Sequence, residues 1–191
     1  MEAFLISTGI VALAEIGDKT QLLSLVLAAR YPRQATAIIL GILVATIANH
    51  AGAGALGAWI MSAIGPDILR WVLGVSFIAM AGWMLIPDKL DEDEIKLVAA
   101  DTGVFFSTVA VFFLAEMGDK TQIATIALAA QYAGSVVWVI AGTTLGMMLA
   151  NVPAVLLGSK AAHKIPLKLV HSIAAVIFAV LGVLVLAGIK W

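Results

Sequence analysis

Six long apolar stretches constrain this chain more than any other feature, because each must be buried either in a bilayer or in a large core. They cover residues 4–29, 35–62, 68–86, 103–130, 135–158 and 167–189. A helix needs about 20 mostly apolar residues to cross a membrane. Hydrophobic residues make up 62% of the chain and charged residues 12%, against about 45–50% and about 25% in soluble domains. The sequence therefore predicts an all-α integral membrane protein with six transmembrane helices.

The chain repeats itself after 101 residues. The segment AEIGDKTQ at 14–21 returns as AEMGDKTQ at 115–122, and the same ungapped shift matches Gly41 to Gly142. A duplicated half explains these matches better than chance. Each half holds three spans, an odd number, so the second half enters the membrane from the opposite face. The prediction is a pair of inverted repeats, a common plan for transporters.

This repeat divides the chain into three parts. Residues 1–87 form the first three-helix repeat, 88–102 an acidic linker and 103–191 the second repeat. Orientation follows from lysine and arginine, which are enriched on the cytoplasmic side. One side has Arg30, Arg33, Lys89, Lys96, Lys160, Lys164 and Lys168, whereas the other has only Arg70 and Lys190. We therefore expect a cytoplasmic linker and both termini outside the cytoplasm.

Four carboxylates fall inside apolar spans: Glu15, Asp18, Glu116 and Asp119. Glu15 lies about 17 Å along its span, close to the midplane. Ionisable groups at that depth almost always face a bundle interior or a water-filled cavity. A helical spacing of three would put the Glu and Asp of each motif on one face. Inverted repeats would bring the two acidic faces together in one central site, which predicts a divalent cation held by oxygen ligands.

Other polar and small residues surround the acids in the sequence. A glycine between the acids permits close helix packing or a local break that frees carbonyl oxygens. The motif lysines lower the formal charge of the site, and the hydroxyls and amides add oxygen donors. Deep polar groups in the second and fifth spans are candidate partners of the acids or of neighbouring helices. The supporting residues are Gly17, Lys19, Thr20, Gln21, Gly118, Lys120, Thr121, Gln122, Asn49, His50 and Asn151.

Other interpretations of these acids exist. Glu15 and Lys19 have the spacing of a structural ion pair within one helix, but Asp18 and Asp119 would then lack partners. A buried carboxylate without a partner normally takes up a proton or a metal ion. Two membrane aspartates could also form a protease dyad, yet a dyad needs neither the Glu nor the Lys, so we expect no enzyme. His163 and His171 are predicted to be interfacial residues.

Both motifs match Glu-x-Gly-Asp-(Lys/Arg)-(Thr/Ser), and the whole chain resembles the Golgi-type calcium/manganese:proton exchangers, a family formerly classed as uncharacterised and placed in the lysine-exporter superfamily. The resemblance implies exchange of Mn²⁺ or Ca²⁺ for protons, with Glu15, Asp18, Glu116 and Asp119 as the cation site. The small size suggests a bacterial member in the inner membrane, where relatives are associated with manganese export.

The expected function is therefore secondary active transport by alternating access, exporting the metal from the cytoplasm. A divalent-cation channel or a scaffold without transport activity stays open as an alternative. The expected partners are the metal ion, protons and the lipid bilayer. No basic tract points to nucleic acid, no cofactor is expected, and the absence of cysteine excludes thiolate ligands. The sequence leaves open Mn²⁺ against Ca²⁺, the proton stoichiometry, a homo-oligomer and the role of the motif lysines.

Overall fold

The computed structural model describes residues 1–86, 103–157 and 167–189. These ranges are helical, with no strand among them, which confirms the predicted all-α class. A short 3-10 turn, Ala133–Ser135, precedes the seventh helix. The predicted linker at 88–102 lies outside the described residues. The helices are α1 (Glu2–Glu15), α2 (Lys19–Arg30), α3 (Ala35–Ala63), α4 (Pro66–Trp83), α5 (Val104–Glu116), α6 (Lys120–Gln131), α7 (Val136–Leu157) and α8 (Leu167–Leu186).

Each acidic motif interrupts the apolar stretch that contains it. Gly17 and Gly118 adopt φ values of +84° and +77°, in the left-handed region that favours glycine. The preceding helix therefore ends at the motif glutamate, and the next helix begins at the motif lysine. The stretches at 4–29 and 103–130 each form two helices that meet at an elbow. The prediction that Glu and Asp share one helical face is wrong for this reason.

Three helices are long and apolar enough to cross a membrane by themselves. Among the described residues these are α3, α7 with the preceding 3-10 turn, and α8, whereas α5 is apolar but shorter. At 1.5 Å per residue, the 29 residues of α3 extend about 43 Å. The 14 residues of α1 extend only about 21 Å, short of the ~30 Å hydrocarbon core. Each of the two apolar stretches that contain an elbow therefore needs both of its helices, one after the other, to cross a membrane.

The helices pack in pairs through small residues. α1 lies along α7, α3 lies along α5 and α6, and α4 lies on α8. On α7, a Cβ added to Gly146 would come within 2.7 Å of the Thr8 carbonyl oxygen and 2.9 Å of the Ala12 nitrogen of α1. Glycine at such a position lets two backbones approach closely, as in many membrane helix pairs.

Residues 101 positions apart make equivalent contacts. Gly41 of α3 packs on Phe105 and Thr108 of α5, and Gly142 of α7 packs on the matching Phe4 and Ser7 of α1. The helix pairs α3–α5 and α7–α1 therefore share one register.

The α4–α8 pair also brings together two residues that are 101 positions apart. The matched rings of Phe77 and Phe178 lie against each other across it, with centroids 6.2 Å apart and ring planes inclined at 34°, and both side chains are buried. Two equivalent side chains that contact each other must lie close to the axis of any two-fold relation between the halves.

Polarity is distributed as in a membrane protein, with apolar residues outside and charges inside. Leu40, Val44 and Ile47 of α3 are exposed, while Asn49 and His50 of the same helix are buried. A surface of this kind would be an aggregation hazard in water, but it matches lipid. The buried polar groups converge on the two elbows.

Candidate metal centre

Three carboxylates from the two elbows meet at the centre of the protein. One oxygen from each of Glu15, Asp18 and Asp119 lies within 4.8 Å of the other two. Glu15 and Asp18 are completely buried, and Asp119 is 5% exposed. Residues from both halves thus contribute to one cluster. Glu116, the fourth predicted acid, is completely buried as well, but it is not part of this group of three.

A lysine from the second elbow neutralises part of this charge. Lys120 Nζ lies 2.7 Å from Asp18 Oδ1, and the two side chains are 2% and 0% exposed. Pairing within each motif, between residues four apart, was one of the alternatives that the sequence offered. The observed ion pair instead joins the second motif to the first, since the break at Gly118 prevents continuous helical spacing between Glu116 and Lys120.

Each motif glutamate has one oxygen bound and one oxygen without a hydrogen bond. Thr20 Oγ1 donates to Glu15 Oε2 at 2.6 Å, and Thr121 Oγ1 donates to Glu116 Oε2 at 2.7 Å. Within the described ranges, neither Glu15 Oε1 nor Glu116 Oε1 has a hydrogen-bond partner. A buried carboxylate oxygen without a partner is costly. These two atoms fit the requirement for oxygen ligands to a hard cation.

The motif glutamines fix the elbows. Gln21 Oε1 accepts a hydrogen bond from the Gly17 backbone N–H at 2.9 Å, and Gln122 Oε1 accepts one from Gly118 N–H at 2.8 Å. Each glutamine amide then donates across the bundle. Gln21 Nε2 donates to the Ala150 carbonyl of α7 at 3.0 Å, and Gln122 Nε2 donates to Asn49 Oδ1 of α3 at 3.1 Å. The glutamines therefore anchor the broken backbone to α7 and α3.

The deep polar residues of α3 and α7 have different environments. Asn151 Nδ2 lies 3.4 Å from Glu15 Oε2, and Asn151 Oδ1 accepts a 2.8 Å hydrogen bond from Ser24. Asn49 Nδ2 donates to the Phe113 carbonyl of α5 at 3.0 Å. His50 is fully buried, and neither of its ring nitrogens has a hydrogen-bond partner among the described residues.

The two elbows differ in how they are covered. At the first elbow, His171 Nε2 of α8 donates to the Ile16 carbonyl at 2.8 Å. A Cβ on Gly17 would lie 2.7 Å from Leu167 Cδ2. At the second elbow, a Cβ on Gly118 would meet none of the described residues within 4 Å. α8 thus covers the first elbow, whereas no described side chain occupies the corresponding position beside Gly118 at the second elbow.

A cavity of about 210 Å³ opens beside this second elbow. Residues of α3, the end of α5 and α6 line it: Ala48, Asn49, Gly52, Ala53, Leu56, Phe113, Met117, Gln122 and Ile126. The cavity thus reaches the glutamine that anchors the second motif.

Ser24 and His171 lie at the site, although neither was predicted there from the sequence. His171 was predicted to be interfacial, whereas the structure places its ring against the first elbow; His163 lies outside the described residues. A signal for His171 exists in the repeat, because the 101-residue shift matches it to Arg70, another basic residue at the same point of its half. Ser24 carries no comparable signal, since buried serines are common in membrane helices.

Comparison with known proteins identifies the family of this chain. A family model described as "Divalent cation/proton antiporter GDT1" matches residues 3–92 and 104–190. The fold and the buried carboxylates define an integral membrane protein of the cation transporter class. The chain belongs to the GDT1 family.

Several relatives extend along nearly the whole chain. A Vibrio cholerae protein named "Putative manganese exporter" is 55% identical over 182 residues, covering 95% of this chain and 89% of that protein. The "GDT1-like protein sll0615" of Synechocystis is 30% identical over 202 residues, covering 96% of each chain. The "GDT1-like protein 4" of Oryza sativa subsp. indica is 29% identical, covering 93% and 70%. No solved structure matches this chain significantly.

Proposed function

We propose that this protein is a secondary active transporter that exports Mn²⁺ from a bacterial cytoplasm in exchange for protons. The observation that carries the proposal is the shared carboxylate cluster of Glu15, Asp18 and Asp119, to which both motifs contribute. Ionised, the four motif acids and the two motif lysines, Lys19 and Lys120, sum to a charge of −2. A divalent cation balances that charge.

The membrane arrangement that we propose has six spans in two inverted repeats. The equivalent packing of Gly41 and Gly142, and the contact between the matched Phe77 and Phe178, support it. Each elbow then lies where two short helices meet inside the bilayer, which is how discontinuous helices form ion sites in other transporters. The acidic linker is placed in the cytoplasm and both termini outside, by the distribution of lysine and arginine.

The cargo follows from ligand chemistry together with the relatives. Carboxylate oxygens suit Mn²⁺, Ca²⁺ and Mg²⁺, and no cysteine is present to attract softer metals. The printed name of the Vibrio relative favours Mn²⁺ among these ions. The partly unsatisfied carboxylates, Glu15 and Glu116, each offer an oxygen for this purpose. They are the proposed ligands, with Asp18 and Asp119.

Protons and metal are coupled by competition for the same oxygens. A carboxylate that binds a proton loses most of its affinity for a cation, so both cannot occupy one oxygen. Lys120 has a related role in this proposal. Its ammonium lies 2.7 Å from Asp18, where it neutralises the cluster when the metal is absent, and it is displaced when the metal arrives.

Alternating access is supported by the unequal elbows. α8 covers the first elbow through Leu167 and His171, while the second elbow adjoins an open cavity. Because α4 and α8 pack on each other, they can move as one body. The opposite state would bring the start of α4, with Arg70, over the second elbow, and would uncover the first.

The test is Mn²⁺-driven proton movement in proteoliposomes that contain a pH-sensitive dye. We expect the wild-type protein to move protons in one direction as Mn²⁺ moves in the other. Glu15→Gln and Glu116→Gln should each abolish this exchange. Glu2→Gln is the matched control, because Glu2 lies at the exposed start of the same helix as Glu15. Exchange at the wild-type rate in both motif variants refutes the site. Mn²⁺ flux without protons indicates a channel, and no flux in wild type indicates a scaffold.

A further inference from the structure

His50 has a buried side chain whose hydrogen-bonding groups are unused. Its exposure is 0%, and neither Nδ1 nor Nε2 has a hydrogen-bond partner in the ranges that the structure describes. Buried polar atoms are nearly always paired, and an exception calls for an explanation such as an unfilled ion site. Simple packing does not require an imidazole at this position, because an apolar side chain would fill the space without an unpaired nitrogen.

The register of the two halves indicates what His50 adjoins. Gln122 anchors to residue 49 of α3, and the matching Gln21 anchors to residue 150 of α7. The next residue in each helix is His50 or Asn151. At the first motif, Asn151 Nδ2 lies 3.4 Å from the carboxylate of Glu15. By the same relation, His50 belongs beside Glu116, whose Oε1 also lacks a hydrogen bond within the described part of the chain.

The two halves therefore offer different ligand atoms at one equivalent position. Beside the first motif this position holds the amide of Asn151, which is already held by Ser24 and Met147. Beside the second motif it holds the imidazole of His50, which has no such partner among the described residues. Imidazole nitrogen binds first-row transition metals, whereas Ca²⁺ and Mg²⁺ in proteins take oxygen ligands. A single nitrogen donor in an otherwise oxygen-based site therefore favours Mn²⁺ over both.

We propose that His50 is a metal ligand that joins Glu116 and Asp119 when the cation occupies the second motif, and that it gives the transporter its preference for Mn²⁺ over Ca²⁺. This inference rests on the proposed transport function. It explains why the two halves differ at His50 and Asn151. A site of carboxylate ligands alone would not explain that difference.

The experiment is pulsed electron paramagnetic resonance of Mn²⁺ bound to the purified full-length protein. The protein is prepared with natural histidine and with ¹⁵N-histidine. We expect a ¹⁴N modulation that changes to ¹⁵N on labelling, and that disappears in His50→Gln and His50→Asn. The matched control is Thr46→Val, which alters another buried group without a partner one turn earlier on α3 and should keep the signal.

Binding measurements complete the test. His50→Gln and His50→Asn should weaken Mn²⁺ binding at least about tenfold, as losses around metal ligands do, and should leave Ca²⁺ binding unchanged. His50→Asn introduces the residue that the second repeat has at the equivalent position, Asn151, so a folded protein is expected from it.

The outcomes separate this inference from the function beneath it. Bound Mn²⁺ without histidine modulation, or modulation that survives in both His50 variants, overturns the ligand role while the exchanger stands. Equal loss of Mn²⁺ and Ca²⁺ binding also overturns it, since that points to a structural role. Wild-type protein that exchanges no Mn²⁺ for protons overturns the proposed function itself.

Discussion

Replacing Lys120 with methionine should destabilise the metal-free protein and increase its response to metal. Lys120 Nζ lies 2.7 Å from Asp18 Oδ1, where an effective dielectric constant of about 20 gives an attraction of about 6 kcal/mol. Desolvation offsets much of this, and removing one partner of a buried pair costs about 3–5 kcal/mol in practice. We therefore expect Lys120→Met to lower the apparent melting temperature by about 6–20 °C.

Added Mn²⁺ should reverse this loss, because it supplies the missing positive charge. A ligand at 100 times its Kd stabilises by about 2.7 kcal/mol, and that gain should appear at lower Mn²⁺ concentration in Lys120→Met than in wild type. The assay is thermal unfolding in detergent, followed by tryptophan fluorescence, across a Mn²⁺ titration. Lys168→Met is the control, since Lys168 is an exposed lysine at the start of α8.

A double variant isolates the pair itself. Asp18→Asn with Lys120→Met should be less destabilised than the sum of the two single changes, since neither charge is then left unpaired. The reasoning is refuted if Lys120→Met has the melting temperature of the wild-type protein, or if Mn²⁺ raises the melting temperatures of both proteins equally at every concentration.

Further predictions follow from the unequal elbows. Gly17→Ala should impair transport and stability more than Gly118→Ala: both strain a positive φ, but only the first Cβ meets α8, and equal losses in matched transport and melting assays would contradict this. His171→Ala leaves the Ile16 carbonyl without its donor, which should cost about 1–3 kcal/mol; an unchanged melting temperature would argue against the contact. The chain lacks cysteine, so single-cysteine labelling is direct. Met117→Cys should react faster with a maleimide than Ile16→Cys, and the reverse order would contradict the access assigned to each elbow.

The broken helices could be anticipated only in part, because the glycine of each motif was compatible either with close helix packing or with a local break. The repeat also predicted that both motifs matter together. Regular helical spacing does not predict which charges pair. It offers Glu15 with Lys19 as one alternative, whereas the elbow turns Lys120 toward Asp18 of the other half. A contact between distant segments of this kind depends on tertiary packing, which local periodicity does not encode.

The difference between the elbows could not be predicted at all. The two motifs are nearly identical in sequence, so nothing local distinguishes Gly17 from Gly118. Their environments differ because α8 covers only one of them, a property of the conformation rather than of the residues. His171 joined the site for the same reason: its contact with Ile16 exists because of how α8 docks. His50 was recognised as a deep polar residue, but its unpaired nitrogens became visible only in three dimensions.

The most direct test of the shared site is a structure of the protein with Mn²⁺, using anomalous scattering to locate the metal. A single Mn²⁺ peak coordinated by carboxylates from both elbows, with the Lys120 ammonium displaced from Asp18, is the expected result. Metal bound only at the surface, or an ion pair that stays intact while saturating Mn²⁺ is transported, would contradict the account.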